Sequence, residues 1–102
     1  MDRVATLKEI LAQNPTDAFA RYGLALEYSN SGATEQALEE FGKLISAHPD
    51  YTAGYFMAAQ TLAKVQRTDE ARKMLADGIS SARRSNNAHA LSEMEAMLAE
   101  LA

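Results

Sequence analysis

The residues that could do chemistry in this chain are few, and their spacing works against them. His48 and His89 lie 41 residues apart. A metal site or an acid–base pair would need both to converge with a third group. By position one falls in a loop and the other at a helix start, so both are expected to be exposed and structurally neutral. Glu39 and Glu40 are adjacent, and Glu93 and Glu95 are two apart. On amphipathic helices such carboxylates are solvated charge by default, and no buried acid–base pair is expected among them. There is no cysteine, hence no disulfide and no thiolate ligand. The five glycines never cluster into a phosphate-cradling loop. No serine stands in a G-x-S-x-G elbow. Asn14-Pro15-Thr16 cannot accept a glycan, because proline fills its middle place. These residues predict no catalysis, no metal and no cofactor.

Composition narrows the remaining classes. A chain of 102 residues makes one small domain with a modest core. Apolar residues are 47% and charged residues 24%, the balance of an ordinary globular protein. The net charge is −4, which argues against a phosphate-binding surface and so against nucleic acid. The densest basic stretch, Lys64 to Arg84, is interrupted by Asp69, Glu70 and Asp77 and reads as a solvated helix surface. No run approaches the ~20 apolar residues of a membrane span, so no membrane partner is expected. The N-terminal stretch lacks the apolar core of a secretory signal. With the absence of cysteine, that makes a cytoplasmic location the expectation.

The elements that must position everything are helical. Apolar residues recur at helical spacing between breaks at Pro15, "NSGATE" (30–35), Pro49 and "QRTDE" (66–70). Six faces emerge: Leu7, Ile10 and Leu11; Leu24, Ala25 and Tyr28; Ala37, Leu38, Phe41, Leu44 and Ile45; Tyr55, Ala58, Ala59 and Leu62; Ala71, Leu75 and Ile79; Leu91, Met94, Leu98 and Leu101. Thr16, Thr34, Asp50 and Thr68 precede four of these patterns and are expected to cap them. Gly32 suits a left-handed turn after the second helix.

The two prolines lie 34 residues apart, and the whole chain follows that offset. Tyr22 maps to Phe56, Leu24 to Ala58, Ala25 to Ala59, Tyr28 to Leu62, Ala37 to Ala71, Phe41 to Leu75 and Ile45 to Ile79. Backward, Leu7 maps to Phe41, Ile10 to Leu44 and Leu11 to Ile45. The unit is a helical hairpin, and the first helix is the second half of an incomplete copy. The last helix returns two residues late, at an offset of 36: Tyr55, Ala58 and Leu62 meet Leu91, Met94 and Leu98.

A 34-residue helix–turn–helix unit with this pattern resembles the tetratricopeptide repeat. The first copy carries Leu24, Ala25, Tyr28, Ala37, Phe41 and Pro49; the second carries Tyr55, Ala58, Ala59, Leu62, Ala71 and Leu75. The small alanines suit helices that approach closely. Arg21 departs from the family's large aromatic, and Arg83 stands where a third proline would fall, so the fifth helix is expected to run on toward Asn86 and Asn87. The resemblance implies an all-α fold, an α–α superhelix of about six helices. One domain over 1–102 would divide into an N-terminal helix (1–14), two repeats (18–51 and 52–85) and a capping helix (87–102).

The resemblance also implies a site. The first helices of successive copies line a concave groove in this family. Phe19, Tyr22, Leu26, Ser29 and Asn30 would face it from the first copy, and Phe56, Gln60, Ala63 and Lys64 from the second, with Met57 at its edge. Ser92 and Ala96 would extend it. Phe19, beside Tyr22, is expected to pack near the first helix. Some members grip a peptide carboxylate with a Lys/Asn/Arg clamp; here Tyr22, Leu26 and Phe56 occupy those places, with only Asn30 and Lys64 nearby, which argues against that clamp. Lys64 and Arg67 could contact an acidic rim. The expected function is protein–protein interaction, with an apolar groove for a partner peptide or helix. The alternatives are a homodimer or scaffold that buries the same groove, and a helical small-ligand or enzymatic protein.

Overall fold

The computed structural model describes residues 2–101. Six α-helices follow in order: α1 Arg3–Gln13, α2 Ala18–Asn30, α3 Thr34–Ala47, α4 Thr52–Lys64, α5 Thr68–Arg84 and α6 Ala88–Glu100. Among the described residues there is no strand, and no helix is long and apolar enough to cross a membrane. The fold is all-α, as the 3.6-residue periodicity requires.

The chain divides into two compact units, Met1–His48 and Pro49–Ala102. In the first, α1 packs on α2 and α2 on α3. Leu7 and Leu11 meet Ala20 and Leu24, with Val4 and Tyr28 against them. Ala25, Ala37 and Phe41 are wholly buried. Ile10 departs from expectation: it stays 41% exposed, whereas Leu7 and Leu11 are buried and Val4 packs beside them. In the second unit α4 packs on α5, α5 on α6, and α4 touches α6. Its core holds Tyr55, Ala58, Ala59, Leu62, Ala71, Leu75, Ile79, Ala82 and Met94.

Two kinds of joint connect the helices. At Asn14 and His48 the backbone is extended, with φ −139° and −134° and ψ 85° and 77°. The proline that follows forbids the helical region to the residue before it, which is what ends α1 and α3. The other joints are Schellman motifs. Ala33 N–H donates to Tyr28 O (2.9 Å) and Gly32 N–H to Ser29 O (3.2 Å). Arg67 N–H to Leu62 O (3.0 Å) and Gln66 N–H to Ala63 O (3.1 Å) repeat the pattern, as do Asn87 N–H to Ala82 O (2.8 Å) and Asn86 N–H to Arg83 O (3.3 Å). The left-handed residues are Gly32 (φ 82°), Gln66 (φ 67°) and Asn86 (φ 54°). Gly32 fits the expectation. Gln66 accepts the same conformation one copy later without glycine's freedom.

The caps shift by one residue from their expected places. Asp17, not Thr16, caps α2 through Ala20 N–H (2.9 Å). Thr34 and Thr68 are the first residues of α3 and α5, whose cap positions are Ala33 and Arg67. Tyr51 takes the cap position of α4, and Asp50 instead receives Arg84 at 3.1 Å. The Schellman bonds occupy the backbone just before α3 and α5, and the acidic first-turn residues Glu35, Asp69 and Glu70 complement those helix dipoles. Asp2 and Asn87 cap α1 and α6 through their side chains.

Candidate functional site

The expected site residues lie on the faces that hairpin packing leaves over, on α2 in the first unit and on α4 in the second. On α2, Gly23, Leu24 and Ala25 are buried. Tyr22, Leu26 and Ser29 are half-buried and Asn30 is exposed. Tyr22, Leu26 and Asn30 stand at i, i+4 and i+8, one ridge of the helix. On α4, Tyr55, Ala58, Ala59 and Leu62 are buried. Phe56, Met57 and Ala63 are half-buried, and Gln60 and Lys64 are exposed. Phe56, Gln60 and Lys64 form the corresponding ridge. Each ridge is aromatic at its N-terminal end and polar at its C-terminal end. On α6 the same positions hold Ser92 and Ala96, both exposed and small. Phe19 does not pack on α1: it is 75% exposed on α2.

The charged groups around these helices pair locally. Arg67 meets Glu70 at 2.7 Å, Arg72 meets Asp69 at 2.8 Å, and Lys73 meets Asp77 at 3.5 Å. Arg83 meets Glu95 at 3.7 Å. From Arg67 onward the basic stretch is therefore paired residue by residue rather than presented as a patch. The Arg67 hydrogen bond holds the Glu70 carboxyl below its ordinary range. Among the described residues no three His, Asp or Glu side chains stand close enough to hold a metal.

Two expectations about charge are corrected. Glu40 is not solvated: it is 8% exposed and takes Arg21 Nη1 at 2.6 Å. His48 is not neutral structurally. It is half-buried, and its Nε2–H donates to Thr16 O at 2.8 Å, since a carbonyl can only accept. His89 is exposed, beside Glu93 at 3.2 Å.

The Arg21–Glu40 pair explains the departure at Arg21. One copy later the same two positions hold Tyr55 and Met74. Arg21 Nη2 donates to Pro15 O (2.9 Å), and Tyr55 Oη donates to Pro49 O (2.8 Å). Both side chains tie the first helix of a hairpin to the carbonyl of the preceding proline. Arginine adds a charge, and Glu40 replaces Met74 to match it. That paired substitution at one offset is the sequence signal that would have disclosed the buried pair.

These helical hairpins define a class of repeat protein, and sequence comparison names it. The family model for the tetratricopeptide repeat matches residues 28–95, and the chain belongs to that family. A TPR repeat-containing protein of Pseudomonas aeruginosa is 26% identical over 95 residues, covering 93% of this chain and 90% of that protein. A tetratricopeptide repeat domain protein from Salinibacter ruber has a similar solution structure: TM-score 0.79 and 32% identity, over 86% of this chain and 89% of that one. The TPR2B domain of yeast Sti1, in a complex with pHsp70, shares the fold with TM-score 0.87 at 18% identity, covering 96% and 78%.

Proposed function

We propose that this chain is a non-catalytic interaction module that binds a peptide or helix of a partner protein through the α2 and α4 ridges, with Tyr22, Leu26 and Phe56 as apolar anchors. Met57 flanks them, and Ser29, Asn30, Gln60 and Lys64 supply hydrogen bonds and one positive charge toward the polar end. The carrying observation is that the same i, i+4, i+8 ridge recurs on both helices, with its aromatic residue only half-buried after the hairpins have packed. Large aromatics left partly open beside polar groups are the usual anchors of a recognition surface. The likeness to a domain solved with pHsp70 supports the same class of use.

Affinity capture with the wild-type chain and with a Tyr22→Ala/Phe56→Ala variant tests this reading, circular dichroism confirming that helicity is kept. The bound proteins should be lost from the variant. An unchanged bound set on a folded variant would remove the anchors. A wild-type dimer that dissociates on Tyr22→Glu would assign the ridges to self-association instead.

A further inference from the structure

The joints between helices differ in whether their residues permit one continuous helix. Pro15 and Pro49 stand in two of them and Gly32 in a third. Proline breaks a helix that runs through it, and glycine weakens one. The joint between α5 and α6, Ser85-Asn86-Asn87, holds neither. Ser85 is already close to helical, at φ −94° and ψ 4°. Asn86 (φ 54°) and Asn87 (φ −96°, ψ 84°) turn the chain. A side chain makes the left-handed conformation of Asn86 more costly than a helical one. Arg83, Arg84, Ser85 and Asn86 are exposed, so no packing holds the bend. With both asparagines helical, α5 and α6 become one helix about 50 Å long. Helical backbone bonds then replace the Schellman bonds and the Asn87 cap.

α6 is also the helix of its unit that lifts most easily. Met94 is its one buried residue, whereas α4 and α5 bury six each. The α4–α5 joint at Gln66 lacks proline and glycine too, but that larger shared core keeps it closed. Met94 has a specific seat. A Cβ on Gly78 would lie 2.5 Å from Met94 Sδ and 2.7 Å from Tyr55 Cβ, so Met94 and Tyr55 are neighbours over that glycine. Arg72 Nη2 donates to Leu101 O and ties down the end of α6.

We propose that two copies of this chain exchange α6. In each copy α5 and α6 straighten into one helix, and α6 takes the seat over Gly78 in the other. Lifted away, α6 carries Leu91, Met94 and Leu98 into water. The surface that fits them is the one a second copy vacates. The exchanged dimer remakes the Met94 seat and the Arg72 bond, so what opposes it is chiefly the cost of bringing two copies together. Both copies give and receive the same element, so the assembly closes at two.

Refolding the full chain from urea at about 1 mM, followed by size exclusion with light scattering at about 10 µM, tests this. The wild type should yield a dimer beside the monomer. Asn86→Ala should raise the dimerisation constant roughly thirtyfold, about fivefold for each of two joints. Asn86→Gly should lower it, since glycine favours the turn over the helix. Ala88→Pro separates the two states. Ala88 is the first residue of α6, where proline fits. Asn87, at ψ 84°, already resembles Asn14 and His48, which precede the native prolines at ψ 85° and 77°. The bent chain accepts this proline and the continuous helix does not. Ala88→Pro should therefore keep the monomer's helicity and urea midpoint and abolish the dimer. In a dimer refolded from labelled and unlabelled chains, isotope-filtered NOEs between Met94 and Tyr55 should cross from one chain to the other. Monomer alone after refolding at the high concentration overturns the proposal. So does a dimer that Ala88→Pro leaves intact, one that neither Asn86 variant alters, one whose Met94–Tyr55 NOEs stay within a chain, or one that Tyr22→Glu dissociates.

Discussion

The two units answer one geometric problem with different side chains. In each, the carbonyl of the joint proline needs a donor from the hairpin. In Met1–His48 that donor is Arg21, charge-matched by Glu40. In Pro49–Ala102 it is Tyr55, joined on the same carbonyl by Ser81 Oγ at 2.8 Å and, from the C-terminal end of α5, by Arg84 Nη2 at 3.2 Å; at Glu40's position Met74 faces the uncharged Tyr55 and needs no counter-charge. A second difference lies one turn away. Leu44 in the first unit corresponds to Gly78 in the second. A Cβ on Gly78 would lie 2.5 Å from Met94 Sδ and 2.7 Å from Tyr55 Cβ. The missing side chain makes room for Met94, which is wholly buried and anchors α6. Backbone geometry is the shared quantity; an ion pair, a tyrosine or a glycine under a methionine each satisfies it.

The comparison breaks hardest at Gly78. Transplanting the first unit's residue, Gly78→Leu, is expected to cost about 3 kcal/mol or more in urea unfolding, because backbone-near atoms of α4 and the Met94 sulfur must both move. A cost under about 1 kcal/mol would show that Met94 does not anchor α6 over that glycine. The next effect lies at Glu40. Glu40→Met alone strands Arg21 and is expected to cost about 2 to 3 kcal/mol. Arg21→Tyr/Glu40→Met copies the second unit's solution and should recover most of that loss, since apolar replacement of a whole buried pair is often neutral or better. A double variant as unstable as the single would mean that the two solutions are not interchangeable.

Smaller effects sharpen the turns and the surface. Gln66→Gly should stabilise by about 0.5 to 1 kcal/mol, since glycine takes φ 67° without strain. The same thermal scan should show Gly32→Ala losing a similar amount. Glu70 gives the smallest signal. Its folded carboxyl is held below the ordinary range by Arg67, so its contribution is present above the unfolded glutamate value and is lost as pH falls through the lowered one. Glu70→Gln should lower neutral stability slightly and flatten the acid limb by the same small amount, leaving stability below the lowered value nearly unchanged.

Helix placement was legible because period and punctuation agreed. Pro15 and Pro49 stop α1 and α3 by restricting the residue before them, a local effect that sequence displays directly. Arg83 in place of a third proline let α5 run to Arg84, as expected. What stayed hidden depended on contact at a distance. Thr34 and Thr68 looked like caps, but the Schellman bonds set the helix starts one residue earlier in the chain than a threonine cap would require. Glu40 looked solvated because its partner lies on another helix. Nothing in the sequence around Gly78 announces that Met94, arriving from α6, fills the space beside it. Phe19 shows the reverse: an apolar residue at helical spacing that no helix of its own unit covers.

The central claim is that α2 and α4 carry the recognition surface. Amide chemical-shift mapping of the labelled chain, titrated with a binding segment from a captured partner, tests it most directly. The account predicts the largest shifts along Tyr22–Asn30 and Phe56–Lys64, abolished by Tyr22→Ala/Phe56→Ala. Shifts confined to α5 and α6, or an unaltered titration of that variant, would contradict it.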